Sequence, residues 1–205
     1  VGIIPAAGKA ARLAPFPCPK ELFPIGYQDY KINSVIEKRP KVISQYLVEN
    51  IIGAGAKQIY FILGESKYDI MRYYGDGSRF GTEIAYFYQE KLFGMPYAID
   101  LVRNWLNNET VLFGMPDTII EPKNVFKRLL EFHVSEKAVI TLGLFKVDNP
   151  TKSGMVEVDN NNNVVITVDK PNTSDLEYGW GCACWSPTFT NLINEYLINN
   201  PCVDK

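Results

Sequence analysis

Several stretches of the chain gather residues able to handle a phosphorylated substrate. Pro5-Ala6-Ala7-Gly8-Lys9-Ala10-Ala11-Arg12-Leu13 sets small residues around two cations, Lys9 and Arg12, directly after the apolar run Val1-Gly2-Ile3-Ile4. Small residues let a backbone approach a phosphate or a base, and freed N–H groups can cradle phosphate oxygens. A tight turn at Gly8 stands level with that reading on the residues alone. Downstream, Pro17-Cys18-Pro19-Lys20-Glu21-Leu22-Phe23-Pro24 stiffens the chain around Lys20 and makes it a fixed cation. Asp117 closes the run Val111-Leu112-Phe113-Gly114-Met115-Pro116. A lone carboxylate there suits magnesium, which takes one or two carboxylates plus substrate phosphates; the competing role is an N-cap for the next helix. Gln89 ends another apolar run, and its amide carries both a donor and an acceptor. Val168-Asp169-Lys170-Pro171 adds one further acid–base pair.

No side chain offers itself as a nucleophile. His133 is the single histidine, sits in a helical stretch, and reads as surface or core filler. No Ser-His-Asp or Cys-His grouping can be built around it. The four cysteines are Cys18, Cys182, Cys184 and Cys202. Cys182 and Cys184 have the wrong spacing for a C-x-x-C pair, so buried reduced thiols in a cytoplasmic protein are expected.

These residues need strands and helices to hold them. Apolar runs at 1–6, 58–63, 83–89, 110–114 and 138–147 read as strands. Residues 41–52 carry apolar side chains near the helical period and are stopped by Gly53-Ala54-Gly55. Helices are also expected over 68–74, 95–106 and 125–133, with a last one starting at Pro187. Strand–helix alternation predicts an α/β fold of three layers, a mostly parallel sheet with helices on both faces. The pattern then changes. Residues 154–158 and 164–168 flank Asp159-Asn160-Asn161-Asn162-Asn163, which predicts a β-hairpin with a polar tip, and 178–185 reads as one more strand.

Size and charge narrow the classes. A chain of 205 residues, 46% apolar and 21% charged, is expected to form one domain over 1–205. The net charge of -2 argues against nucleic acid or a membrane surface as partner, and no apolar run approaches the length of a span. The opening residues lack a basic leader and read as a buried strand, not a signal peptide.

The loop at 5–13 and the Pro19-Lys20 pair resemble the signature of sugar-1-phosphate nucleotidyltransferases, G-x-G-x-R-[LM] followed about ten residues later by P-K. One departure stands out: the family's second glycine is Ala10 here. Pro5-Ala6-Ala7-Gly8 and Pro19-Lys20-Glu21 are most similar to bacterial UTP–glucose-1-phosphate uridylyltransferases. Gly75-Asp76-Gly77-Ser78-Arg79-Phe80-Gly81 resembles a turn of glucose-1-phosphate thymidylyltransferases, and a purely structural turn is the favoured reading of it. Gln89 to Ala98, with Gly94-Met95, resembles the element that reads the edge of uracil or thymine. Gly154 with Glu157, Asp169-Lys170-Pro171 and Gly181 resemble the sugar-phosphate side, with Asp169 in place of the usual Glu.

The resemblance implies a Rossmann-like catalytic domain that joins a nucleoside triphosphate to a sugar-1-phosphate and releases pyrophosphate. It implies Ala6, Ala7, Gly8, Lys9, Gln89 and Gly94 at the nucleotide, and Gly154, Asp169, Lys170 and Gly181 at the sugar phosphate. Arg12 and Lys20 face the triphosphate and Asp117 holds Mg²⁺. A C-terminal segment with a second metal-binding aspartate is expected to be missing, and a homo-oligomer is left open. UTP and dTTP are the favoured nucleotides. Cytidylyl transfer to a non-hexose phosphate and a non-catalytic nucleotide-sugar-binding homologue remain as alternatives. Residues 28–38 have no counterpart in the resemblance and are expected to be a solvent loop or a subunit contact.

Overall fold

The computed structural model describes residues 1–202, and of Arg12 the backbone only. The first half of the chain contains β1 (Gly2–Ala6), β2 (Pro24–Ile32), β3 (Val35–Val42), α1 (Ile43–Gly53), β4 (Gln58–Leu63), α2 (Tyr68–Tyr74), β5 (Glu83–Tyr88) and α3 (Met95–Leu101). Then come β6 (Val111–Gly114), α4 (Val125–Glu136), β7 (Ile140–Lys146), β8 (Gly154–Val158), β9 (Val164–Asp169), β10 (Tyr178–Trp185) and α5 (Pro187–Asn199).

β1 lies between β4 and β6 and is parallel to both, and β5 extends the sheet from β4, again parallel. β4 is β-branched and aromatic along its length, with Ile59, Phe61 and Ile62 fully buried, as a strand covered on both faces requires. β10 runs antiparallel to β6 and carries β7 along its other edge from Tyr178 to Trp185. β8 joins β10 at Tyr178 and Gly179 and pairs with β9. Because β7 occupies one edge of β10, β6 and β8 share the other. The β8–β9 hairpin therefore stands beyond the carboxyl end of β6. Six strands of this sheet run one way, and only β9 and β10 run against them.

Alternate residues of a strand face opposite sides, and the two sides fill separately. Ile4, Phe61, Leu112 and Cys184 meet α1, α2 and α4 through Leu47, Ile51, Ile70 and Phe126. Ile3, Ile62, Phe113 and Trp185 meet α3 and α5 through Ala98, Ile99, Phe189 and Ile193. The expected three layers with helices on both faces are present. So is the polar-tipped hairpin: Asp159 accepts the backbone N–H groups of Asn161 and Asn163, each at 2.8 Å.

Two expectations need correction. Residues 28–38 are not a loop; they belong to the hairpin β2–β3, a separate two-stranded sheet. Its turn, Asn33-Ser34, has φ of 46° and 72°, the left-handed pair of a type I′ turn. The helix expected over 95–106 is α-helical only to Leu101 and then tightens to a 3₁₀ turn at Arg103–Trp105. The tighter turn still buries Val102 and Leu106, so the apolar spacing is met without a regular helix. His133 is core filler: it is buried, and its Nδ1 lies 2.9 Å from Thr141 Oγ1. Among the described residues no helix is long and apolar enough to cross a membrane.

Cys182 and Cys184 are buried free thiols as expected, whereas Cys18 is half-buried and Cys202 exposed. Burial pushes the Cys182 thiol up to about 11 and the Cys184 thiol up to about 12. Thiolates do the alkylating chemistry. In the native protein at pH 8, iodoacetamide should label exposed Cys202 and leave Cys182 and Cys184 unmodified until denaturant is added, as read by mass spectrometry of peptides.

Candidate active site

The loops after β1, β4 and β6 leave the sheet at one edge because these strands are parallel and in register, with Ala6 beside Leu63 and Ile3 beside Phe113. The first two loops touch. A Cβ on Gly64 would sit 2.6 Å from the Ala7 carbonyl oxygen, so only glycine lets them approach this closely. Ala10 holds φ 52° and ψ 32°, a left-handed conformation that explains why a glycine stands there in the resembled motif.

Along this edge runs a cleft of about 260 Å³ lined by Ala7, Gly8, Lys20, Glu21, Gln89, Gly94 and Asp117, among others. Lys20 Nζ donates to Asp117 Oδ2 at 2.5 Å and ties the 3₁₀ turn at Lys20–Leu22 to the loop after β6. Both side chains keep solvent contact, at 25% and 38% exposure, so the pair adds little stability and can exchange partners. Gly94 has φ 109°, a backbone state closed to other residues without strain, and it starts α3 at the cleft wall.

Gln89 is 8% exposed, and its backbone N–H donates to the Leu63 carbonyl at 2.7 Å. Its side-chain Nε2 is buried with no hydrogen-bond partner. Glu21 is missed by the sequence reading. It is 1% exposed, and Lys67 Nζ donates to its Oε2 at 2.7 Å, while Oε1 is buried without a partner. A buried polar atom left unpaired costs about 1–3 kcal/mol. Two residues that line the cleft thus each carry a buried atom without a partner, a donor on Gln89 and an acceptor on Glu21. Charge at Glu21 two positions after Pro19 was visible in the sequence, but its partner Lys67 lies 46 residues away.

The other expected residues divide. Ala6 is buried at the end of β1, behind the cleft. Lys9 is exposed and does not line the cleft. The Arg12 side chain lies outside what is described. Gly154, Asp169, Lys170 and Gly181 do not line this cavity either. They lie on the β8–β9 hairpin and on β10: Gly154 pairs with Asp169, Lys170 follows the end of β9, and Gly181 sits at a bulge of β10 between Trp180 and Cys182. Lys170 has φ 45°, donates its N–H to the Ser153 carbonyl at 3.1 Å, and keeps its ammonium near Asp169 at 3.3 Å, well exposed. Gly77 and Gly81 hold positive φ in the 75–81 turn, and Asp76 accepts from Ser78 N at 2.9 Å, a structural turn as expected. A larger concavity of about 640 Å³ opens on the amino edge, between Lys57, Ser78, Thr82 and Glu109. It is remote from Lys20, Gln89 and Asp117.

A mixed sheet with glycine-adapted loops, a paired cation and acid, and a buried amide places a polar cleft at the carboxyl edge, where open α/β sheets bind ligands. A sequence model described as nucleotidyl transferase matches residues 1–197, and the chain belongs to that family. It is 28% identical over 198 residues to the low-salt glycan biosynthesis nucleotidyltransferase Agl11 of Haloferax volcanii, covering 95% of this chain and 51% of that protein. It is 30% identical over 203 residues to the bifunctional protein GlmU of Methanococcus vannielii, covering 97% and 40%. It is 29% identical over 181 residues to a glucose-1-phosphate thymidylyltransferase of Mycolicibacterium smegmatis, covering 86% and 57%. The chain thus spans roughly half of the length of these curated relatives. Its fold matches a UDP-glucose pyrophosphorylase crystallised with UDP-glucose, at a TM-score of 0.77 and 19% identity over 95% of this chain and 78% of that one.

The buried Glu21–Lys67 pair at the cleft wall sets the stability of this edge. Lys67 and Glu21 are 6% and 1% exposed, and removing one partner strands the other charge. Lys67→Met should lower the free energy of unfolding by about 3–5 kcal/mol in urea melts.

Proposed function

We propose that this chain transfers a nucleotidyl group from a pyrimidine nucleoside triphosphate, UTP or dTTP, to a sugar-1-phosphate and releases pyrophosphate. The observation that carries the reading is the pair of unpartnered buried atoms, Gln89 Nε2 and Glu21 Oε1, in the cleft that also holds Lys20 and Asp117. Uracil and thymine present an N–H beside carbonyl oxygens. Such an edge gives Gln89 an acceptor and Glu21 a donor, and binding removes two desolvation penalties at once.

The reaction is an in-line attack by a phosphate oxygen of the sugar-1-phosphate on the α-phosphorus. The protein's part is to position two anions and neutralise them. Lys20, held between Pro19 and Pro24, turns from Asp117 toward the triphosphate and the departing pyrophosphate. Arg12 adds charge to the same loop. Lys170, just after the β8–β9 strand pair, holds the sugar phosphate, with Asp169 and the Gly154 and Gly181 backbones completing that side. The residues present fit magnesium in one way only. Among the described residues no three acidic, His or Cys side chains gather, so Asp117 would hold the ion together with substrate phosphates. When bound, the ion stabilises charge developing on the phosphoryl oxygens.

Two measurements test this. Preorganised charge at a transition state contributes about 10²–10³ in rate per group. Lys20→Ala and Asp117→Asn should therefore cut turnover by about that factor with the fold intact, while Lys170→Ala chiefly raises the KM for sugar phosphate. A parent protein that releases no pyrophosphate with any pyrimidine triphosphate and sugar phosphate in magnesium would replace this reading with the non-catalytic one. Equilibrium binding should rank UTP and dTTP above GTP and ATP; tighter GTP binding than either contradicts the base assignment.

A further inference from the structure

The β2–β3 hairpin takes no part in the cleft chemistry. It is anchored at its base, where Tyr46 Oη donates to the Ile25 carbonyl at 2.7 Å and Gln45 Nε2 to Gln28 Oε1 at 2.6 Å. Beyond that base it projects. Tyr27 is 73% exposed and Ile36 68%. A two-stranded hairpin is marginal alone in water, and among the described residues no strand pairs with the outer edge of β2.

The register says which groups that edge offers. The two-residue turn Asn33-Ser34 is closed by the pair Ile32–Val35, so Ile32, Tyr30 and Gln28 spend their backbone bonds on β3. Asp29 and Lys31, between them, turn N–H and C=O outward. Free edges are ordinarily blunted by charge of any sign. Here the two outward residues carry opposite charges two positions apart, a self-complementary pattern.

We propose that β2 pairs antiparallel with β2 of a second copy of this chain, Tyr30 opposite Tyr30 on the two-fold axis and Asp29 opposite Lys31. That register lets every outward N–H meet an outward C=O, and it joins the two hairpins into one four-stranded sheet. Sliding by two residues either way sets Asp29 against Asp29 or Lys31 against Lys31, which like-charge repulsion disfavours. The Asp29–Lys38 bridge at 2.5 Å within each hairpin extends the row to alternating charges across the junction. The contact is isologous, as a two-fold dimer requires.

The test is sedimentation velocity on the full chain over about 1–300 μM, where small interfaces associate. The wild type should show reversible dimerisation. Asp29→Lys and Lys31→Asp should each weaken it by about tenfold or more, since every two-fold contact turns like-charged twice. An equimolar mixture of the two variants should associate within about threefold of wild type, because each acidic edge then faces a basic one. That rescue also excludes misfolding as the cause of the single defects. A wild type that stays monomeric, an assembly indifferent to both substitutions, or a mixture that fails to associate overturns the proposal.

Discussion

The arrangement of the cleft hangs on the burial of β1 between two parallel neighbours. Ile3 and Ile4 have no solvent contact, and they bury on opposite faces, against different helices. A strand so placed cannot shift by one residue without exchanging its two faces. Its end is therefore fixed beside the ends of β4 and β6, and the three loops that follow must open on one edge. Ala6, Ala7 and Gly64 are small because the loops then crowd one another. Sterics at the core thus decide where Gly8, Gln89 and Asp117 meet.

Charge is distributed over that frame in two ways. Glu21 and Lys67 form a buried pair in the cleft wall, where a lost partner is expensive. Lys20 and Asp117 stand at its mouth, half in water, where exchanging one partner for another is easy. One pair is locked and the other is free to engage anions. The adjacency of Lys20 and Glu21 in sequence couples them: the buried carboxylate anchors the 3₁₀ turn from which Lys20 reaches out. The unpartnered Gln89 amide completes a wall that is stable only because the rest of the fold holds it there.

What could be read in advance was what local chemistry controls. The strands at 1–6, 58–63 and 83–89 announce themselves by apolar runs, and Gly8, Gln89 and Asp117 were legible because each follows or ends such a run. The 75–81 turn was legible from its glycines. The hairpin β2–β3 was not, because most of it is exposed and its one short alternation, Tyr30-Lys31-Ile32, is too brief to mark a strand. Its Asn33-Ser34 turn lacks the glycine that marks most two-residue hairpins. Glu21 escaped because its significance lies in a partner 46 residues on. The early end of α3 escaped because Val102 and Leu106 keep the spacing of a helix while the backbone tightens. Lys170 and Gly154 could be placed beyond β6 only once β7 was seen to occupy the far edge of β10.

On the proposed function, the carboxyl-edge cleft, and not the larger concavity on the amino edge, receives the nucleotide through Gln89. Titrating UTP and magnesium into ¹⁵N-labelled protein tests it directly by NMR. The Gln89 side-chain amide signals should shift downfield as Nε2 gains an acceptor, with the Gly8 and Gly94 backbone amides moving alongside. Shifts confined to Thr82, Glu109 and their neighbours, with the Gln89 amide unmoved, would contradict it.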